Sequence, residues 1–331
     1  MSKRFTRISA LLLVLVAAYF LGPTPQPPEW DLTMPVVPGS SIAVEEYISK
    51  KEKAHVLKPD NEARIVWADS THSKTPYSVV YLHGFSASQK EGDPIHRQFA
   101  EAFGCNLYLA RLSDHGIDTA DELINFTTDR WWESAKEALA IGQAIGDSVI
   151  ILSTSTGGTM ALVLAAEYPQ AVHALINMSP NIAINNGAAF LLNNPWGLYI
   201  ARAVMGGKYR ETTMDKERIQ YWNSKYRLEA TVQLEEMIES KMNTETFARV
   251  KQPCLTLYYY KSEEEQDPEV KVDAMLEMMD QLGTPPALKK AVAIPDAGAH
   301  VMGSSLVSHD LEGVYHEIET FAIEVLKMQK R

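Results

Sequence analysis

Between Ala63 and Met178 two kinds of apolar pattern take turns. Short β-branched or aromatic runs at Ala63 to Trp67, Tyr77 to Leu82, Asn106 to Leu112, Ser148 to Leu152 and Ala171 to Met178 read as strands. The stretches between them have helical spacing. Asp93 to Phe103 is one, Asp129 to Ile145 places Trp132, Ala135, Leu139 and Gly142 toward one side, and the Ala/Leu-rich Thr159 to Tyr168 stops at Pro169. Such alternation predicts an α/β architecture, a mostly parallel sheet with helices on both faces. Ser41 to Lys53 predicts a short helix ahead of the sheet.

The alternation breaks from Asn181 to Gln252. This stretch mixes Asn/Gly-rich segments, Trp196, Tyr199, Met205, the Tyr221-Trp222 pair and one long helical pattern from Leu228 to Met242. It then resumes with a strand at Pro253 to Tyr260, the acidic loop Lys261 to Val270, a helical run to Leu282 and a last strand at Ala287 to Ile294. A final helix is expected over Ser304 to Met328, with His309 and His316 as surface residues inside it.

The N-terminus differs from the rest. Lys3, Arg4 and Arg7 precede an uncharged run from Ile8 to Leu21, which predicts that residues 1–22 are a signal peptide or an N-terminal membrane anchor. Export follows from either, and residues 8–21 offer a membrane association. Residues 23–40 are rich in proline and poor in periodic apolar positions, so a linker is expected there.

Composition narrows the function. With 331 residues and 46% hydrophobic content the chain can bury a large core, and its formal charge of −11 with no basic stripe argues against nucleic acid as a partner. Cys105 and Cys254 each open an apolar run and read as buried small hydrophobes rather than a disulfide. No His/Cys/Asp spacing suggests a metal site.

The turn Ser153-Thr154-Ser155-Thr156-Gly157-Gly158 joins a predicted strand to a predicted helix in very few residues. A serine at its tip projects its hydroxyl above the sheet edge, and the Thr156 amide lies at a helix N-terminus, where negative charge is favoured. Taken alone the stretch reads equally as a polar loop capping a helix. Its spacing resembles the nucleophile elbow of the α/β-hydrolase fold, G-x-S-x-G, with Ser153 in place of the first glycine.

The resemblance extends over roughly residues 60 to 328. In that family the loop after the second predicted strand, here His83-Gly84-Phe85-Ser86, supplies half of the oxyanion hole. It implies oxyanion donors at the amides of Phe85 and Thr156, with His83 a structural hydrogen bonder. The family places the triad acid in the acidic loop after the Pro253 to Tyr260 strand. Asp267 with Val270 fits best, and Glu263 is the runner-up because the loop is long. The base falls after the last strand, at His300. Ser155, Asp267 and His300 then follow the family's chain order, residues 181–252 correspond to a lid inserted after the sixth strand, and residues 41–180 with 253–331 form the core.

Within that family the chain resembles the branch of monoacylglycerol lipases, lysophospholipases and serine aminopeptidases. The implied chemistry is two-step acyl transfer from a small-molecule ester, with no metal or organic cofactor. An aminopeptidase or amidase is the alternative enzyme; Glu235, Glu236 and Glu239 would bind a free amine, or are a solvated helix face. An inactive membrane-anchored binding protein on the same scaffold is the reading from another class. The aromatic and Met residues of the insertion would either line an acyl pocket or form the lid's own core.

Overall fold

The computed structural model describes residues 3–331, with side chains described from residue 9 onward. Helices α1 (Lys3–Phe20) and α2 (Ser41–Glu52) come first. Then follow β1 (Arg64–Val66), β2 (Thr75–Leu82), α3 (Ile95–Phe103), β3 (Asn106–Leu109), α4 (Thr128–Ile145), β4 (Gly146–Thr154), α5 (Thr156–Glu167) and β5 (Val172–Met178). The insertion carries α6 (Gly197–Met205), β6 (Tyr209–Glu211), α7 (Lys216–Tyr221), β7 (Lys225–Arg227), α8 (Leu228–Lys241) and α9 (Thr244–Arg249). The chain closes with β8 (Cys254–Tyr258), α10 (Val272–Gln281), β9 (Lys289–Ala293) and α11 (Leu311–Glu324).

The seven-stranded sheet has the order β1-β3-β2-β4-β5-β8-β9. Only β1 runs antiparallel, against β3. Strand β4 lies centrally because Val149, Ile150, Ile151 and Leu152 are apolar on both faces, and all four are buried. One core packs Trp131, Trp132 and Leu139 of α4 with Met160 to Ala166 of α5; the other packs Phe99 and Phe103 of α3 with Ile318 and Phe321 of α11. The sheet is thus covered by helices on both faces.

Several sequence expectations need correction. The insertion follows β5, the fifth strand in chain order rather than the sixth, since four strands precede β5. It is not purely helical: β6 and β7 pair antiparallel from Tyr209↔Arg227 to Glu211↔Lys225. Strands of three residues rich in charge carry no apolar alternation to read. The last helix begins at Leu311, because the Asp310 side chain caps it by accepting from the Gly313 amide at 2.8 Å. His309 therefore lies in the preceding loop, not in the helix. Both cysteines are buried and unpaired, and burial pushes each thiol up to about 12.

The proline-rich stretch has no helix or strand up to Pro38, yet it is strapped onto the core. Trp30 packs on Trp132 with centroids 5.4 Å apart, and the Trp132 indole donates to the Asp31 carbonyl at 2.6 Å. The ammonium of Lys136, fully buried on α4, donates to the carbonyls of Asp31 (2.7 Å) and Thr33 (2.8 Å) and pairs with Glu133. A proline-rich segment exposes carbonyls without competing amides, and α4 supplies the donors. Among the described residues no helix is long and apolar enough to cross a membrane, so the expectation of a spanning anchor in α1 is not supported.

Replacing Lys136 by Met should free the strap, because the carbonyls of Asp31 and Thr33 lose their buried donor. The expected outcome is a stability loss on the order of 3 kcal/mol in urea unfolding and new proteolytic cleavage within residues 29–34. A variant as stable and as protease-resistant as the parent would show that the strap is held by something else.

Candidate active site

Ser155 sits where β4 hands over to α5, with φ 53° and ψ −123°. Such a conformation costs on the order of 1–3 kcal/mol and persists only where the surroundings hold it. Three backbone bonds do so here: the Ser155 amide donates to the Met178 carbonyl (3.0 Å), and the Ser155 carbonyl accepts from Gly158 (2.8 Å) and Asn181 (2.9 Å). Helix α5 crosses β2 so closely that a Cβ on Gly157 would stand 2.0 Å from the Leu82 carbonyl oxygen. Ser153, the departure from the elbow pattern, is fully buried, and its hydroxyl is 2.8 Å from the Asn177 side-chain oxygen on the neighbouring strand. A paired hydroxyl on a small side chain fits where the pattern has glycine.

The loop after β2 is clamped from several sides. The Ser86 amide donates to His115 Nε2 at 2.9 Å, and the Ser86 carbonyl accepts from the Asn223 amide of the insertion at 2.7 Å. Burial keeps His115 neutral by lowering it to about 4, so its Nδ1 carries the proton and donates to the Ser113 carbonyl at 2.8 Å. His83 is fully buried and driven well below the ordinary histidine value. It links the Gly84 carbonyl (2.9 Å) to the Leu112 amide (3.0 Å), the structural role expected of it. The Phe85 ring is held among Phe126, Tyr226 and Trp131. Neither the Phe85 nor the Thr156 amide has a partner outside regular secondary structure among the described residues, and Thr156 is the first residue of α5.

Asp267 and His300 meet. His300 Nδ1 lies 2.8 Å from Asp267 Oδ2, while Oδ1 accepts from the amides of Glu269 (3.0 Å) and Val270 (3.1 Å). Burial alone would raise the Asp267 carboxyl, but the charge and hydrogen bond of His300 and these amides hold it below the ordinary value. Burial alone would lower His300, and Asp267 outweighs it, leaving the imidazole raised. The His300 contribution to stability is therefore complete below pH 6.5 and lost as pH rises through the folded value. That of Asp267 is complete above 3.8 and lost as pH falls through its lowered value.

The long acidic loop reaches this geometry by folding its surplus residues on themselves. Tyr260 bridges Gln266, Lys261 and Ser262 bond to the Glu265 carbonyl, and the Asp267 amide returns to the Tyr259 carbonyl at 3.1 Å. Glu263 is left exposed in that turn, where it accepts from the Tyr260 hydroxyl, and it is not brought to His300. His309 packs over the His300 loop, since a Cβ on Gly298 would lie 2.7 Å from its Nδ1. No hydrogen bond joins Ser155 to His300 among the described residues.

From the insertion, Trp222 packs against Ala87 of the β2 loop and Val301 beside His300. Trp196, Tyr199 and Met205 are instead exposed at 39%, 54% and 48%, so they do not form a core of the insertion. Trp196 is tied to the N-terminal segment, its indole donating to the Ala18 carbonyl and its amide to the Pro23 carbonyl, both at 3.0 Å. Glu235 is not on a solvated face: it is buried, and burial beside Glu239 raises it to about 7. Glu236 accepts from the Asn193 side chain. Sequence reasoning passed over Glu91, a buried carboxylate that accepts from the Gly84 amide. It lies in a short polar turn with no periodicity to mark its burial.

No family model matches the chain, and no curated protein matches it. Many solved structures do. A metagenome-derived lipolytic enzyme aligns with a TM-score of 0.61 at 17% identity, over 81% of this chain and 98% of its own. Est1E from Butyrivibrio proteoclasticus, solved with ferulic acid bound, gives 0.54 at 20% identity, over 80% and 95%. The monoglyceride lipase of Saccharomyces cerevisiae gives 0.58 at 11% identity, over 78% and 90%. The fold of this chain is the α/β-hydrolase fold.

Exchange of Asp267 for Asn should leave burial acting on His300 with its main opposing charge removed. The imidazole titration followed by NMR is expected to move to lower pH by about one unit or more. An unchanged titration would mean that Asp267 does not govern the histidine.

Proposed function

We propose that the protein is a serine hydrolase that cleaves carboxylic esters through Ser155, His300 and Asp267. The observation that carries this reading is the Asp267–His300 pair at 2.8 Å on a loop facing the same sheet edge as the strained Ser155 turn. His300 would take the Ser155 proton on Nε2 as Oγ attacks the ester carbonyl carbon, while Asp267 fixes the Nδ1–H tautomer and favours the imidazolium. The amides of Phe85 and Thr156 would receive the negative charge on the carbonyl oxygen, each contributing on the order of 3 kcal/mol. The carbon–oxygen bond to the alcohol then breaks, His300 returns the proton to the leaving oxygen, and water repeats the sequence on the acyl-enzyme.

The apolar cluster of Trp222, Ala87 and Val301 supports an acyl or lipid-like substrate, as does the likeness to a lipolytic enzyme and a monoglyceride lipase. The basic Lys3, Arg4 and Arg7 ahead of the apolar run support export of the chain. An amidase or aminopeptidase is the second reading. It is favoured by the buried Glu235, one of whose oxygens has no partner, as a carboxylate suited to an amine.

A panel of p-nitrophenyl esters of increasing acyl length, run beside aminoacyl p-nitroanilides, tests this. Ester turnover is expected, with Ser155→Ala lowering kcat by roughly 10⁴-fold or more. Because His300 must be neutral to act as base and its value is raised, kcat/KM should rise with pH through a midpoint above 6.5. Faster anilide cleavage would favour the amidase, and turnover indifferent to Ser155 would sink both.

A further inference from the structure

Glu91 is a buried charge for which the reaction above has no use. It lies in the one-turn helix Gln89–Gly92, 2% exposed, and one carboxyl oxygen accepts from the Gly84 amide. A Cβ on Gly84 would stand 3.0 Å from both Glu91 carboxyl oxygens and 2.8 Å from the Ser155 Cβ. The carboxyl and the serine therefore face each other across a single glycine. The Glu91 carbonyl lies against Gly303, and the Ser305 amide donates to the Asp93 carbonyl at 2.9 Å, so this turn is also braced against the chain that follows His300.

No cation neutralises Glu91 among the described residues, since Lys90 pairs with Asp93. The titratable groups that feel its charge are His300 and the phenol of Tyr81 on β2, which is bonded to Thr154. His300 in turn is faced by Asp267, Glu91 and Glu269. A carboxylate with one amide partner and no counter-ion costs free energy to bury. Replacing it with an apolar group would relieve that cost but would release the Gly84 amide.

Building on the serine-hydrolase reading, we propose that Glu91 is a positioning residue. Its carboxylate holds the Gly84 amide, which orients the next amide, that of Phe85, toward the oxyanion. Its charge also favours the His300 imidazolium that forms when Ser155 gives up its proton. Asp267 acts on Nδ1 by direct contact, whereas Glu91 acts through space from the side of the β2 loop. Burial raises the Glu91 carboxyl to about 7, so it gains its charge over the pH range in which His300 becomes an active base.

The pH profile of p-nitrophenyl ester hydrolysis by the full chain tests this with Glu91→Gln, which keeps an acceptor for Gly84 but removes the charge. The acid limb of kcat/KM should move to lower pH by on the order of one unit, and kcat at the plateau should fall about tenfold with KM little changed. Glu91→Asp, which keeps the charge but withdraws it from Gly84, should restore the limb and not the plateau. A limb unmoved in Glu91→Gln overturns the proposal, whatever happens to the plateau. Should that variant not fold, the His300 imidazole followed by NMR in the unaltered protein decides. Two inflections, one from His300 itself and one near 7 from Glu91, are expected, and a single inflection overturns it. Failure of the underlying reading looks different: the unaltered protein would then show no Ser155-dependent turnover and no fluorophosphonate labelling of Ser155.

Discussion

The contact on which the site depends is the backbone crossing of α5 over β2 at Gly157. A side chain there would meet the Leu82 carbonyl oxygen at 2.0 Å, so only glycine lets the helix come this close. The approach has two effects at once. It forces the chain through the strained Ser155 conformation, and it sets the first amide of α5 beside the loop that leaves β2. The cost of the strain is met by packing. Every residue of α5 from Thr156 to Ala166 is buried, so the helix cannot retreat without opening the core.

Around that crossing the structure sets burial against charge. His83 and His115 are fully buried without a carboxylate partner; burial wins, and both serve as neutral spacers in the β2 loop. His300 is screened from water as well, but Asp267 lies at bonding distance and reverses the outcome. The same residue type thus takes opposite proton affinities within one loop cluster, according to whether a carboxylate is in contact. Glu91 and Glu235 show the complementary case, carboxyls that burial raises to about 7, outweighing the more distant positive charges of His300 and Lys271.

The insertion is joined to the core by specific bonds. Lys58 pairs with Glu122 and donates to the Asn223 side chain at 3.2 Å, and the Asn223 amide holds Ser86. Any movement of the insertion would therefore pull on the loop that carries the Phe85 amide. The N-terminal segment reaches the same insertion through Trp196, so the insertion is bonded both to the β2 loop and to residues 18–23.

The alternation of apolar period, a local property, was enough to predict the sheet and its flanking helices, and β4 and β5 appear within a residue or two of the runs that announced them. The spacing of Ser155, Gly157 and Gly158 was legible too, because a tight strand-to-helix turn restricts residue type at each position. What the sequence could not reveal arises from contacts between distant segments. The sequence preferred Asp267 to Glu263 only through the family pattern, whereas which carboxylate reaches His300 rests on a turn folding on itself. Nor could it show that a proline-rich linker would be strapped down by a lysine on α4, or that Glu91 and Glu235 are buried while Trp196 and Tyr199 are exposed. Periodicity records which side of an element is apolar, and that is decided locally. Which polar group loses its water, and which partner then fixes its charge, is decided only when the whole chain closes around it.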